Sequence, residues 1–178
     1  MIAYKGFKKG LVCRGYQFEA GKTSVTESAN CAQNGFHAAE NPLDTFTYYP
    51  NIANAEYWMV KCEGDINEDG VDSKIACTEL TPIRRLELPE MAAAALVYIK
   101  KHPSRQISSN GNLYENNAFK IIKSKRPILW GKRGQWLGFA KEKDGKIDRI
   151  NLIYIDGKQY RPNIKYDIDG NAVGEVKV

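Results

Sequence analysis

At 178 residues, 43% apolar and 26% charged, the chain is long enough for one large domain or two small ones and has the balance of a globular protein. No run of 18 apolar residues is present, which excludes a membrane-spanning helix, and the opening Met1 to Phe7 lacks the apolar core of a signal peptide, so the chain is expected to stay in the cytosol. The net charge of +5 is uneven: residues 1–99 hold 9 Lys and Arg against 13 Asp and Glu, whereas residues 100–133 hold 9 against 1.

In chain order, Ile2 to Phe7 reads as a strand ending at Lys8-Lys9-Gly10. Leu11 to Phe18 reads as two strands or a strand and an irregular arm, followed by a turn at Ala20-Gly21-Lys22, and the small polar stretch Thr23 to Asn34 reads as a loop. A strand ends at Phe36 and His37. Beyond it Asn41 stands at an N-cap, Pro42 at a first helical position where a missing N–H is harmless, and Asp44 near the positive helix end. The helix that starts at Pro42 is short, because Pro50 forbids continuation and biases Tyr49 away from helical angles. This strand-turn-helix corner is the expected wall of a pocket, with Tyr4, Arg14, His37, Glu40, Asp44, Tyr48 and Tyr49 as its candidate residues. His37 with Glu40 and Asp44 has the makings of an acid/base group, although a histidine at a strand end also serves as a hydrogen-bond partner of a turn. Tyr48, Tyr49, Tyr57 and Trp58 offer faces for a base or nicotinamide ring, although aromatic clusters after a short helix are usually core.

Glu56 to Cys62 and Val71 to Leu80 have strand composition, and the turn-rich Glu63 to Gly70 between them predicts a β-hairpin with an acidic tip. Asp65, Asn67, Asp69 and Gly70 match the first half of a calcium loop, but Ala76 stands where the bidentate Glu belongs and no helices flank it, so the hairpin turn is preferred. Cys13, Cys31, Cys62 and Cys77 form no close pair, which argues for reduced thiols and no metal. Gly21-Lys22-Thr23 lacks the upstream glycine of a phosphate-binding loop, Gln17 standing in its place, and no cofactor is expected.

Pro82 to Leu88 is a further strand candidate. Pro89 opens a helix over Glu90 to Lys101, with Met91, Ala94, Ala95, Tyr98 and Ile99 on one stripe, and Pro103 closes it. Ser104 to Asn112 has linker composition, which places an N-terminal α+β domain at 1–102, a linker at 103–112 and a C-terminal domain at 113–178. The C-terminal domain is expected to be a β-meander turning at Asp144-Gly145, Asp156-Gly157 and Asp169-Gly170 and ending at Val178. The expected fold class is α+β: an N-terminal antiparallel sheet carrying the short and the longer helix, then the small meander. The basic entry segment interleaves cations with rings, and Lys120, Lys123, Lys125, Arg126, Trp130, Lys132 and Arg133 are the candidate partner-binding residues. A solvated charged face would use the same residues.

Tyr4-Lys5-Gly6-Phe7, Cys13 to Phe18, Gly35-Phe36-His37-Ala38-Ala39-Glu40-Asn41-Pro42-Leu43-Asp44 and Gly64-Asp65-Ile66 together resemble the N-terminal module of a family of uncharacterised phage and prophage proteins, and Trp136 to Tyr166 resembles that family's tail. Many relatives carry a Gly/Ala-rich repeat where this chain has its basic segment. The resemblance implies a viral or prophage origin and the cytoplasm of an infected or lysogenic bacterium. Tyr4-Lys5-Gly6, Phe36-His37-Ala38-Ala39 and Tyr48-Tyr49 also resemble, more distantly, the ordered motifs of ADP-ribosyltransferases, with Glu79 or Glu87 as the later acid. Lys5 departs from that family's Arg or His, and its acidic pair motif is missing.

Three functions follow as expectations. The first is a non-enzymatic phage counter-defence protein that uses residues 100–133 to bind and inhibit a host nucleic-acid-handling machine such as a CRISPR nuclease, a protein or ribonucleoprotein partner, with RNA or DNA as alternatives. The second is a nucleotide-binding or ADP-ribosyltransferase-like domain using the His37 corner. The third is a virion or assembly accessory protein.

Overall fold

A computed structural model describes residues 1–68, 70, 72–108 and 111–176. The chain divides into two compact units, Met1–Glu87 and Leu88–Val178.

The first unit is built on the long hairpin of β6 (Ala55–Glu68) and β7 (Lys74–Leu86). Against β6 lies β1 (Ile2–Lys8), in register from Ile2 opposite Lys61 to Lys8 opposite Ala55. Against β7 lies β5 (Phe36–Ala39), from Phe36 opposite Cys77 to Ala39 opposite Lys74. β5 and β1 meet where Tyr4 pairs Ala39, so the antiparallel pairings close a ring through β1, β6, β7 and β5. The short strands β2 (Val12–Cys13) and β3 (Tyr16–Gln17) extend β1, and β4 (Ser24–Val25) adds to β7. Ala3, Phe7, Phe18, Val60, Cys62, Ile75, Cys77 and Leu80 fill the interior, and the four cysteines are free thiols.

The hairpin expected over residues 56–80 is present, but its second arm runs on through Pro82 to Leu86 as one strand, with a register shift at Met59/Val60. A proline inside a paired strand requires such an irregularity because it has no N–H to give. At the acidic tip the Asp65 N–H donates to Thr78 Oγ1 (2.9 Å) and Asn67 Oδ1 accepts from the Cys31 N–H (2.9 Å). The first is a contact within the hairpin and the second ties its tip to the loop before β5. Asp69 of the calcium-loop pattern and Val71 at the expected strand start lie outside the described residues.

In the second unit, α2 (Leu88–Lys101) buries Met91, Ala92, Ala95, Leu96 and Ile99 against a four-stranded sheet of order β12–β11–β9–β8. Its strands are β8 (Leu113–Glu115), β9 (Phe119–Ser124), β11 (Trp136–Lys143) and β12 (Lys146–Tyr154). Gly138 lets α2 approach: a Cβ there would stand 2.9 Å from Ile121 Cγ1 and 3.4 Å from Leu96 Cδ1. On the opposite face Leu137, Phe139, Ile153 and Ile155 pack with Leu129, Ile164, Tyr166 and Ile168. The latter group comes from a three-stranded sheet of β10 (Ile128–Leu129), β13 (Ile164–Asp167) and β14 (Ala172–Glu175), and from the residue after β13.

The class is α+β, as expected, with three corrections inside it. The longer helix covers the C-terminal sheet, so the unit boundary falls at Glu87/Leu88 and not at 103–112. The expected linker is folded: Ile107 is 2% exposed and its N–H donates to the Gly111 carbonyl (3.0 Å), Ser109 and Asn110 of that stretch lying outside the described residues. The meander is broken twice. β9 and β11 pair in parallel, and Asp156-Gly157 carries the chain from one sheet to the other instead of closing a hairpin. Asp144-Gly145 and Asp169-Gly170 do join paired strands; Val178 lies outside the described residues. Among the described residues no helix is long and apolar enough to cross a membrane.

Candidate functional site

A cavity of about 340 Å³ opens in the first unit between β1, the β2–β3 arm, β5 and the corner helix. The local chemistry of each wall is readable. β1 alternates, so Ala3, Lys5 and Phe7 point inward, all below 7% exposed, and a lysine occupies a core position. The arm turns through Arg14 (φ 48°) and Gly15 (φ 82°), with Cys13 paired to Tyr16, which is the two-residue hairpin with both central residues left-handed. Arginine is a poor choice for that conformation, and strain of this kind, of order 1–3 kcal/mol, is tolerated where the side chain is needed. The turn sets Arg14 at the cavity rim.

The corner forms as its residues dictate. Asn41 Oδ1 accepts the Leu43 N–H (3.1 Å) and caps a 3-10 turn, Pro42–Asp44, that runs into α1 (Thr45–Tyr48). Tyr49 then folds back over β1, where its ring lies so close to Gly6 that a Cβ would meet it at 2.5 Å. The Tyr49 hydroxyl donates to Cys13 Sγ (3.1 Å), and the Tyr57 hydroxyl donates to the Tyr49 carbonyl (2.6 Å). Tyr48 donates its hydroxyl to Asp72 and stacks beneath Lys74, whose Nζ is 5.3 Å from the ring centre.

Of the seven candidate pocket residues, Tyr4, Arg14, His37, Tyr48 and Tyr49 line this cavity, together with Lys5 and Lys74. Glu40 and Asp44 do not. Asp44 instead accepts the Ser73 N–H (3.2 Å) and hydroxyl (2.5 Å), tying the corner to β7, so the expected acid/base group is not assembled. His37 accepts the Ala32 N–H at Nε2 (3.0 Å), the turn-bonding role. Burial, reinforced by Lys5, Arg14 and Lys74, holds its pKa below the ordinary histidine value. Burial likewise pushes the Tyr4 and Tyr49 phenols up, so both stay protonated. Neither Glu79 nor Glu87 lines the cavity, and among the described residues no carboxylate does. Among the described residues no group of His, Cys, Asp and Glu is arranged to hold a metal ion. Lys5 and Lys74 were not among the candidate pocket residues. The inward register of Lys5 was the available signal, whereas Lys74 reaches the cavity only because β7 pairs β5.

Residues 1–94 match the family described as Domain of unknown function (DUF7666). The chain belongs to this family. Every cavity-lining residue, from Tyr4 to Lys74, falls within the part shared with DUF7666, and the basic segment 100–133 falls outside it. No curated protein and no solved structure matches the chain.

Two of the candidate partner-binding lysines of that segment are internal. Lys120 is 7% exposed, paired with Glu115 (2.8 Å) and stacked 4.2 Å from the Trp130 ring centre, which takes the cation from the surface and leaves the ring half-buried. Lys123 is 4% exposed and donates to the Pro103 (2.8 Å) and Arg105 (2.6 Å) carbonyls, closing the turn that follows α2. Lys125, Arg126, Lys132 and Arg133 are exposed. Because β9 and β11 are parallel, in register from Phe119 opposite Trp136 to Ser124 opposite Lys141, the first two follow one end of the pair and the last two precede the other. Roughly 17 Å of strand lies between those ends.

Proposed function

We propose that the DUF7666 unit binds a small anionic ligand bearing a planar ring, of the nucleotide class. The observation that carries this reading is the make-up of one cavity: Arg14, Lys5 and Lys74 among tyrosine and phenylalanine walls, with no carboxylate among the described lining residues. A guanidinium fork at the rim matches a phosphate in shape as well as charge, and aromatic walls take the face of a base. The volume lies within the range of small-molecule pockets, roughly 300–1,000 Å³. The three stretches that resemble ADP-ribosyltransferases all line the cavity, which supports a nucleotide over an unrelated anion. Lack of a lining acid argues for binding rather than transfer, since transfer of that kind relies on a carboxylate.

Thermal unfolding with AMP, ADP and NAD, against adenosine and pyrophosphate alone, tests the reading. A ligand at 100 times its Kd stabilises the native state by about 2.7 kcal/mol, so the phosphate-bearing nucleotides raise Tm and the separated halves do so less. Arg14→Ala removes a charged hydrogen-bond donor worth about 1.5–3 kcal/mol, an affinity loss of about 10- to 100-fold. Flat melting curves with every nucleotide at millimolar concentration overturn the proposal. Docking of residues 100–133 on a host nucleic-acid machine is the alternative reading: Lys125, Arg126, Lys132 and Arg133 are exposed and available to it, whereas Lys120 and Lys123 are internal.

A further inference from the structure

We infer that Lys5 is a nucleophilic amine that forms an imine with a carbonyl group on the ligand of this cavity, a phosphate-bearing aldehyde or the open form of a reducing sugar phosphate. The inference rests on the pocket reading above and adds the reacting group. Lys5 is 6% exposed at an inward position of β1, yet it lines the cavity. Its Nζ donates to the His37 carbonyl (2.5 Å), adjoins the Cys13 thiol and lies 5.4 Å and 5.9 Å from the Phe7 and Phe18 ring centres. Among the described residues no carboxylate forms an ion pair with it. A lysine kept for its charge either pairs with an acid or extends its head to water. This one does neither, and burial lowers its pKa, which favours the neutral amine that attacks carbonyls.

The neighbouring groups supply the protons the reaction moves. The amine nitrogen attacks the carbonyl carbon, the C–N bond forms, and the carbonyl π electrons pass to oxygen, which takes a proton to give a carbinolamine. The nitrogen gives up its two protons in turn, one as the carbinolamine forms and one as the hydroxyl leaves, protonated, as water, and the C=N bond completes the imine. The net change is amine plus carbonyl to imine plus water. Tyr49 O–H donates to Cys13 Sγ, and Cys13 adjoins Lys5, so a phenol–thiol chain reaches the reacting nitrogen from the cavity wall.

The probe is pyridoxal 5′-phosphate, which joins a planar ring, a phosphate and an aldehyde. The full chain is treated with a substoichiometric amount and cyanoborohydride at neutral pH, and the adducts are located by peptide mass spectrometry. The expected result is Lys5 as the main site, at least tenfold above exposed lysines such as Lys8 and Lys125, with suppression by excess pyridoxine 5′-phosphate. Lys5→Arg should remove that adduct while the surface lysines label as before. If the variant does not fold, the competition in the unaltered chain decides alone. Labelling of Lys5 at or below the level of Lys8 and Lys125 overturns the inference. In that case a Tm rise with AMP leaves the nucleotide reading standing. Selective Lys5 labelling with no nucleotide response upholds the amine and removes the nucleotide.

Discussion

His37 takes the structural role that a histidine at a strand end more often has. Its Nε2 is occupied by the Ala32 N–H, so it holds the turn over the cavity and does not serve as a free base. Its lowered pKa makes that role testable by pH. The unfolded chain protonates a histidine near 6.5, whereas the folded chain resists until a lower pH, so below about 6.5 the unfolded state binds more protons and stability falls as the pH drops. The wild-type Tm should therefore decline more steeply between pH 7.5 and pH 5 than that of His37→Gln, whose side chain offers an acceptor without titrating. Equal slopes would show that the imidazole is not held neutral by the fold. Lys5 is the complementary case: only the fold shows that it points inward and that no acid among the described residues pairs with it.

At the scale of elements, the corner from Asn41 to Tyr49 links sequence to site most directly. Asn41 is 4% exposed and caps the turn, Thr45 Oγ1 donates to the Pro42 carbonyl (2.6 Å), and Asp44 anchors Ser73. Asn41→Ala should cost about 0.5–2 kcal/mol in urea-induced unfolding. Because Thr45, Tyr48 and Tyr49 line the cavity, the same variant should also shrink any ligand-induced rise in Tm. A stability loss with the ligand response intact would separate the cap from the pocket. The cap, the proline and the acid lie within four residues of one another, and interactions that local are legible in order along the chain. Two lysines of the basic segment show the opposite case. Lys120 and Lys123 look like surface cations until Glu115, Trp130 and the carbonyls after α2 are brought to them.

For the whole molecule, the division at Glu87/Leu88 makes α2 the cover of the C-terminal sheet. A fragment of residues 88–178 should unfold cooperatively. A fragment of residues 113–178, cut at the linker that composition suggested, should not, since Ile121, Gly138 and Ala140 would lose the helix that covers them. Circular dichroism melts of the two fragments check this, and a sharp transition in the shorter one would contradict the assigned role of α2.

By itself the sequence determined the elements: the capped corner, the long hairpin, the α2 helix, two Asp-Gly turns and the α+β class. These rest on contacts between residues a few positions apart, whose preferences act before the chain has folded. Only the tertiary structure decided which surfaces meet. Tyr4 pairs Ala39, β9 lies parallel to β11, and Lys5, Arg14 and Lys74 reach one cavity from three separate strands and turns. Such pairings join residues far apart in the chain, and they are set by which arrangement buries the most apolar surface while satisfying the backbone, a condition no short stretch can express.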